Sequence, residues 1–176
     1  MVLAIVSAVA VWGAAAQEKP ESPVKVSKVS APEKALKFEV MIPAGVEEVW
    51  TAFTTNAGLS TWLWKDVTVD LRKGGEWTVH FPGGGTGGGN IVDFTPQRSI
   101  LMKALCPEQF PTVRRERTNA LFEFQPVDGK TRVTLTQTGW KEGKEWDDAY
   151  EYLAGGNAQL LGQLLYRFTK GPIDWK

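Results

Sequence analysis

Few side chains in this sequence are spaced for chemistry, and the glycine-rich stretch FPGGGTGGGNIVDF, Phe81 to Phe94, is the first to weigh. Gly83, Gly85 and Gly88 satisfy the spacing G-x-G-x-x-G. Such a loop cradles a dinucleotide pyrophosphate when a strand leads into it and a helix N-terminus follows. The strand is present: in EWTVHF, Trp77, Val79 and Phe81 alternate with Glu76, Thr78 and His80. The helix is not. NIVDFTPQRSILMKAL is rich in strand-forming residues, and Pro96 would break a helix early. No lysine follows these glycines, as a phosphate-binding P-loop requires. The run is therefore expected to be the mobile tip of an antiparallel hairpin joining Gly75–Phe81 to Asn90–Thr95.

The remaining reactive groups are isolated. His80 is the single histidine, and no Ser or Cys nucleophile stands beside it in the sequence. A histidine base needs an oriented partner, so His80 reads as a surface or satisfied residue. Cys106 is the single cysteine, which excludes an intrachain disulfide; before Pro107 it reads as a small buried hydrophobe. No His, Cys, Asp or Glu spacing suggests a metal. Asp147, Asp148 and Glu151 open a long helical segment, where the dipole favours acids. The sequence thus names no catalytic residue, no metal ligand and no cofactor.

The chain has 176 residues, with 20 Lys plus Arg against 20 Asp plus Glu. That length suits one folded domain. A nucleic-acid binder would show a basic stripe, and none dominates; the densest spot, RRER at Arg114–Arg117, is interrupted by Glu116. The first sixteen residues are apolar and close on Ala14-Ala15-Ala16, as a secretory signal does before its cleavage site, although no Lys or Arg precedes the run. The expectation is an exported protein, periplasmic or secreted, cleaved after Ala16, with no stable membrane insertion afterwards. QEKPESPVKVSKVSAPEKA, residues 17–35, is rich in Pro, Ser, Lys and Glu and reads as a disordered spacer. The domain is expected over 36–176.

Within it, LKFEVMI alternates as a strand. In VEEVWTAFTT, Val46, Val49, Trp50 and Phe53 share a helical face, with Glu47 and Glu48 in the first turn. LSTWL adds a short helical turn. Strands follow at DVTVDL, EWTVHF, NIVDFT, RSILMKAL, TNALFEFQPV and TRVTLTQTGW, separated by turn residues. The last segment, Glu145 to Lys170, is a long helix with Trp146, Tyr150, Leu153, Leu161, Leu164 and Phe168 on one face. Gly155 and Gly156 weaken its middle by about 1 kcal/mol each relative to Ala. An antiparallel meander has one face that must be covered, and only this helix is large enough. A curved sheet gripping one helix leaves a cavity between them.

This pattern resembles the START-like (SRPBCC) superfamily, an α+β helix-grip fold, and within it the branch of the activator of heat-shock-protein-90 ATPase. The resemblance is carried by VEEVWTAFT, by STWLWKDVTVDLRKGGEW with Trp62, Asp70, Arg72, Gly74, Gly75 and Trp77 in the family's order, by GKTRVTLTQTGW and by GGNAQLLGQLL. It runs from Leu36 to about Thr169. One departure stands out: where the family's helix has Gly-Trp, Gly156 is followed by Asn157, an amide on the apolar face.

The resemblance implies an internal cavity, and some of the aromatics should line it. Eight tryptophans are many for this size. The candidates are Trp50, Phe53, Trp62, Trp77, Phe122, Phe124, Trp146 and Tyr150, with Asn157 and Leu161 from the helix. In VRRERTNALFEF, Arg114 and Glu116 share strand phase with Ala120, Phe122 and Phe124, so an unbroken strand would aim them at one cavity end. The function expected is binding or carriage of a small apolar or amphipathic ligand. An aromatic-cyclase-like enzyme and a chaperone-ATPase activator are the alternatives the superfamily implies. Export opposes the second, because that chaperone and its ATP are intracellular.

Overall fold

A computed structural model describes residues 23–176. The signal-like run and its cleavage position lie outside them. The described residues form eight strands, β1 (Lys25–Val29), β2 (Ala35–Ile42), β3 (Val67–Val69), β4 (Glu76–His80), β5 (Thr86–Thr95), β6 (Ser99–Leu105), β7 (Thr118–Val127) and β8 (Lys130–Thr138). Four helices join them: α1 (Val46–Thr54), α2 (Asn56–Leu59), α3 (Pro111–Glu116) and α4 (Lys144–Lys170). The strands make one antiparallel sheet in the order β1-β2-β8-β7-β6-β5-β4-β3. This open sheet wrapped on a long C-terminal helix is the helix-grip arrangement expected from the sequence.

Inward phase and burial agree. Leu36, Phe38, Val40 and Ile42 of β2, Ala120, Phe122 and Phe124 of β7, and Val133 and Leu135 of β8 are all buried. α4 lies over the β1–β2 edge of this face. Its Trp146, Ala149, Tyr150, Leu161 and Leu164 are buried, and Tyr150 Oη donates to the Ala35 carbonyl at 2.9 Å. α1 packs on β7 and β8 through Trp50 and Phe53, and α2 reaches β3. Thr55 caps α2, its Oγ1 accepting from Gly58 N at 2.9 Å.

Three expectations are corrected. Residues 25–29 lie inside the segment assigned as a disordered spacer, yet they form β1. Val26 sits opposite Phe38 and Lys28 opposite Leu36, so backbone pairing supplies what the composition does not. The glycine run is shorter as a loop than its composition implies. β5 starts at Thr86, and Gly87, Gly88 and Gly89 are paired strand residues opposite Val79, Thr78 and Trp77. They permit close strand approach. A Cβ on Gly88 would lie 2.0 Å from the Trp77 carbonyl oxygen, and one on Gly89 would lie 2.2 Å from that of Lys103. The strand phase through VRRERT is also broken: Pro111 starts α3, and Arg117, at φ +66°, separates that helix from β7.

Candidate functional site

Because α4 grips the β1–β2 side, the inward face of β4–β7 is left partly uncovered. There the chain forms a half-open cavity of about 470 Å3 between α4, the β4–β5 hairpin and the loop after β6. That volume falls in the range of small-molecule sites, roughly 300–1,000 Å3. The floor is Trp77, Val79, Met102, Ala120, Phe122, Leu135 and Gln137, all buried. Leu153, Gly156, Asn157 and Leu160 supply the α4 wall. Exposed Phe81, Glu108 and Tyr152 mark the rim. Absent side chains shape part of the space. A Cβ on Gly156 would meet no other heavy atom within 4 Å, whereas one on Gly87 would meet Val79 and Phe81.

The aromatic floor is fixed from behind. Phe53 of α1 packs on Trp77 at 5.1 Å, Phe122 at 4.7 Å, Phe124 at 5.3 Å and Trp62 at 5.5 Å between ring centroids. The Trp77 indole N–H donates to the Phe53 carbonyl at 2.8 Å, and that of Trp62 donates to Ala52 at 2.9 Å. With its indole N–H satisfied on the core side, Trp77 turns ring surface to the cavity, and Phe122 lines it beside Trp77.

A single polar line crosses this wall. Asn157 Nδ2 donates to Gln137 Oε1 at 2.7 Å, and Gln137 Nε2 donates to Thr118 Oγ1 at 2.7 Å. This satisfies the buried Gln137 amide and leaves Asn157 Oδ1 as an acceptor at the cavity wall. The arrangement offers apolar contact and hydrogen bonding. Its one carboxylate, Glu108, sits out on the rim.

The loop that closes the far side is held by Arg114. Its guanidinium donates to the Thr86 carbonyl at 3.1 Å, to Thr86 Oγ1 at 2.8 Å and to the Cys106 carbonyl at 2.6 Å. Glu145 of α4 caps α3, accepting from the backbone N–H of Thr112 at 2.6 Å and of Val113 at 3.1 Å. Burial raises the Glu145 pKa, but the hydrogen bonds from Thr112 and Val113, with Arg115 nearby, outweigh it and hold the carboxyl below its ordinary value.

Of the sequence candidates, Trp77, Phe122 and Asn157 line the cavity. Phe53, Trp62 and Phe124 form the layer behind it, and Trp50 packs edge-on to Phe124 at 5.4 Å. Trp146 and Tyr150 belong to a separate cluster with Trp140, and Leu161 is core. Arg114 is a strut at the rim, and Glu116 pairs with Lys141 away from the cavity, because α3 replaces the expected strand. The residues missed are Val79, Met102, Leu135 and Gln137. Strand alternation from Trp77 and from Phe122 would have found them, and Gln137 is the one amide in the inward phase of β8. Cys106 is buried beside this loop, and burial pushes its thiol up to about 12. His80 Nε2 lies 3.3 Å from Thr68 Oγ1.

The family of activator of Hsp90 ATPase homolog 1-like proteins matches residues 43–167. The chain belongs to that family. Solved structures place it in the same fold. The Aha1 dimer from Colwellia psychrerythraea is 21% identical, with a TM-score of 0.64 over 78% of this chain and 97% of that one. Protein MLL2253 from Mesorhizobium loti is 19% identical, with a TM-score of 0.66 over 79% and 99%. CalU16 from Micromonospora echinospora is 18% identical, with a TM-score of 0.60 over 86% and 84%. No curated protein matches the chain. Family and fold together fit a ligand-binding domain, and no helix among the described residues is long and apolar enough to cross a membrane.

Proposed function

We propose that this protein binds a small amphipathic ligand in the cavity between α4 and β4–β7. The observation that carries the reading is the composition of the walls. Trp77, Met102, Phe122 and Leu135 offer continuous apolar surface, while Asn157 and Gln137 place amide groups at one end. Apolar walls with a few fixed polar groups are what small-molecule sites require: burial drives binding and the polar groups orient it. The aromatic layer around Phe53 makes the apolar part rigid, so little order is lost on binding.

Export is part of the same proposal. The apolar run closing on Ala14-Ala15-Ala16 supports it, and a carrier outside the cytoplasm needs neither ATP nor a chaperone partner. The name of the family refers to activation of Hsp90 ATPase; export sets this chain apart from that role.

Native mass spectrometry of gently purified protein tests the ligand. A stoichiometric small molecule, released on unfolding and lost when Gly156→Leu fills the cavity, is the expected result. Purified protein that carries nothing and is not thermally stabilised by any amphipathic compound in a broad panel would end the reading. N-terminal sequencing of the mature form should start at or near Gln17; an intact Met1 on intracellular protein would end the export part.

A further inference from the structure

We propose that the ligand of this cavity carries an anionic head group, and that Arg117 holds it at the α3 end. The proposal rests on the ligand-binding reading above and adds the chemical class.

The cavity has two unlike ends. In sheet register Phe122 stands between Ile100 and Leu135, and Ala120 stands between Met102 and Gln137. Moving from Phe122 toward the start of β7, the wall changes from aromatic to amide and reaches Thr118, which accepts from Gln137. The next residue is Arg117. It lines a groove on the α3 side that shares Thr86, Leu105 and Glu108 with the cavity. Arg114, Arg115 and Arg117 line that groove and reach the cavity across this shared rim.

Two of those arginines have partners. Arg114 is bound to Thr86 and Cys106 and lies 3.8 Å from Glu108, and Arg115 lies 3.8 Å from Glu116. Arg117 is different. Its Nη1 is buried and donates to nothing among the described residues, and none of their ion pairs includes it. Burial, with the Arg114 guanidinium nearby, holds its pKa below the ordinary arginine value, so an anion beside it would be stabilising. The backbone points the same way. Arg117 sits at φ +66°, a region that favours glycine, with its N–H bound to the Val113 carbonyl at 2.8 Å. Strain at a position that keeps a long charged side chain suggests a use for that side chain. A carboxylate fits best, because a guanidinium presents two parallel donors to its two oxygens. The body of the same molecule would then run past Gln137 and Asn157 to Trp77.

Calorimetric titration with decanoate, 1-decanol and decyltrimethylammonium tests this on the full protein. All three share the chain and differ only in head group. Decanoate should bind at least tenfold more tightly than decanol, and decyltrimethylammonium most weakly. Arg117→Gln should bring decanoate down to the level of decanol, and Arg117→Lys should keep most of the preference. Equal binding of decanoate and decanol to the unmodified protein overturns the head-group assignment and leaves the cavity reading standing; this comparison needs no variant to fold. A preference that survives Arg117→Gln overturns the role of Arg117. If none of the three binds, the head-group proposal falls, and the cavity reading is decided by the broad panel above.

Discussion

Asn157 Nδ2 donates to Gln137 Oε1 at 2.7 Å, and this contact ties α4 to the cavity floor across an otherwise apolar wall. It explains how an amide is accommodated on the apolar face of α4. Gln137 is buried, with its other side-chain atom committed to Thr118, so its Oε1 depends on Asn157.

Asn157→Leu is therefore expected to destabilise the fold by about 1–3 kcal/mol, because it strands a buried acceptor. The double variant Asn157→Leu/Gln137→Leu should recover part of the loss, since removing both partners costs less than removing one. Chemical denaturation of the four proteins in the cycle gives the coupling; strictly additive losses would show that the bond contributes nothing. Asn157→Trp should fill the cavity yet fail to gain stability, for the same stranded acceptor.

Gly156→Ala should raise stability by about 0.5–1 kcal/mol through helix propensity, since a Cβ there meets no other heavy atom within 4 Å. Gly156→Leu should keep the fold and reduce binding of any cavity ligand. Thermal melts and titrations of the same two variants separate these effects. Unchanged affinity in Gly156→Leu would move the binding site elsewhere.

The glycines of the β4–β5 hairpin should divide into two classes. Gly89→Ala places a Cβ 2.2 Å from the Lys103 carbonyl oxygen and is expected to cost about 1–3 kcal/mol. Gly85→Ala meets open space and should be close to neutral. Urea midpoints decide it. Equal tolerance at both positions would mean that the strands can separate locally. By the same reasoning, deleting Gly83–Gly89 would remove paired strand residues as well as the tip.

Cys106 gives a pH signature. Its thiol is pushed up from 9.0 to about 12 by burial, so the folded protein keeps the proton where the unfolded chain has lost it. The stability linked to this group is present below pH 9 and is lost as pH rises from about 9 toward 12. Cys106→Ala should flatten that part of the stability profile. A thiol reagent at pH 8 should react with unfolded protein and not with folded protein; rapid labelling of the folded form would refute the burial.

The sequence by itself determined the α+β class, the segments that became β2–β8, and the helices α1 and α4, because each of these has its own hydrophobic period, 2 or 3.6. It also carried the family resemblance through Trp62, Gly74, Gly75 and Trp77. The tertiary structure decided the rest. β1 forms in a segment of spacer-like composition because the edge of β2 offers it a partner. Gly87–Gly89 are strand because three backbones converge there, and Arg117 turns the chain so that Arg114 braces a loop while Glu116 faces away. Which aromatics meet the cavity follows from where α4 lies. Gripping β1–β2, it buries Trp146 and Tyr150 in its own contact and leaves Trp77 and Phe122 to line the cavity. Periodicity records which face of an element is apolar, but the volume between two faces depends on their relative placement, which no single segment contains.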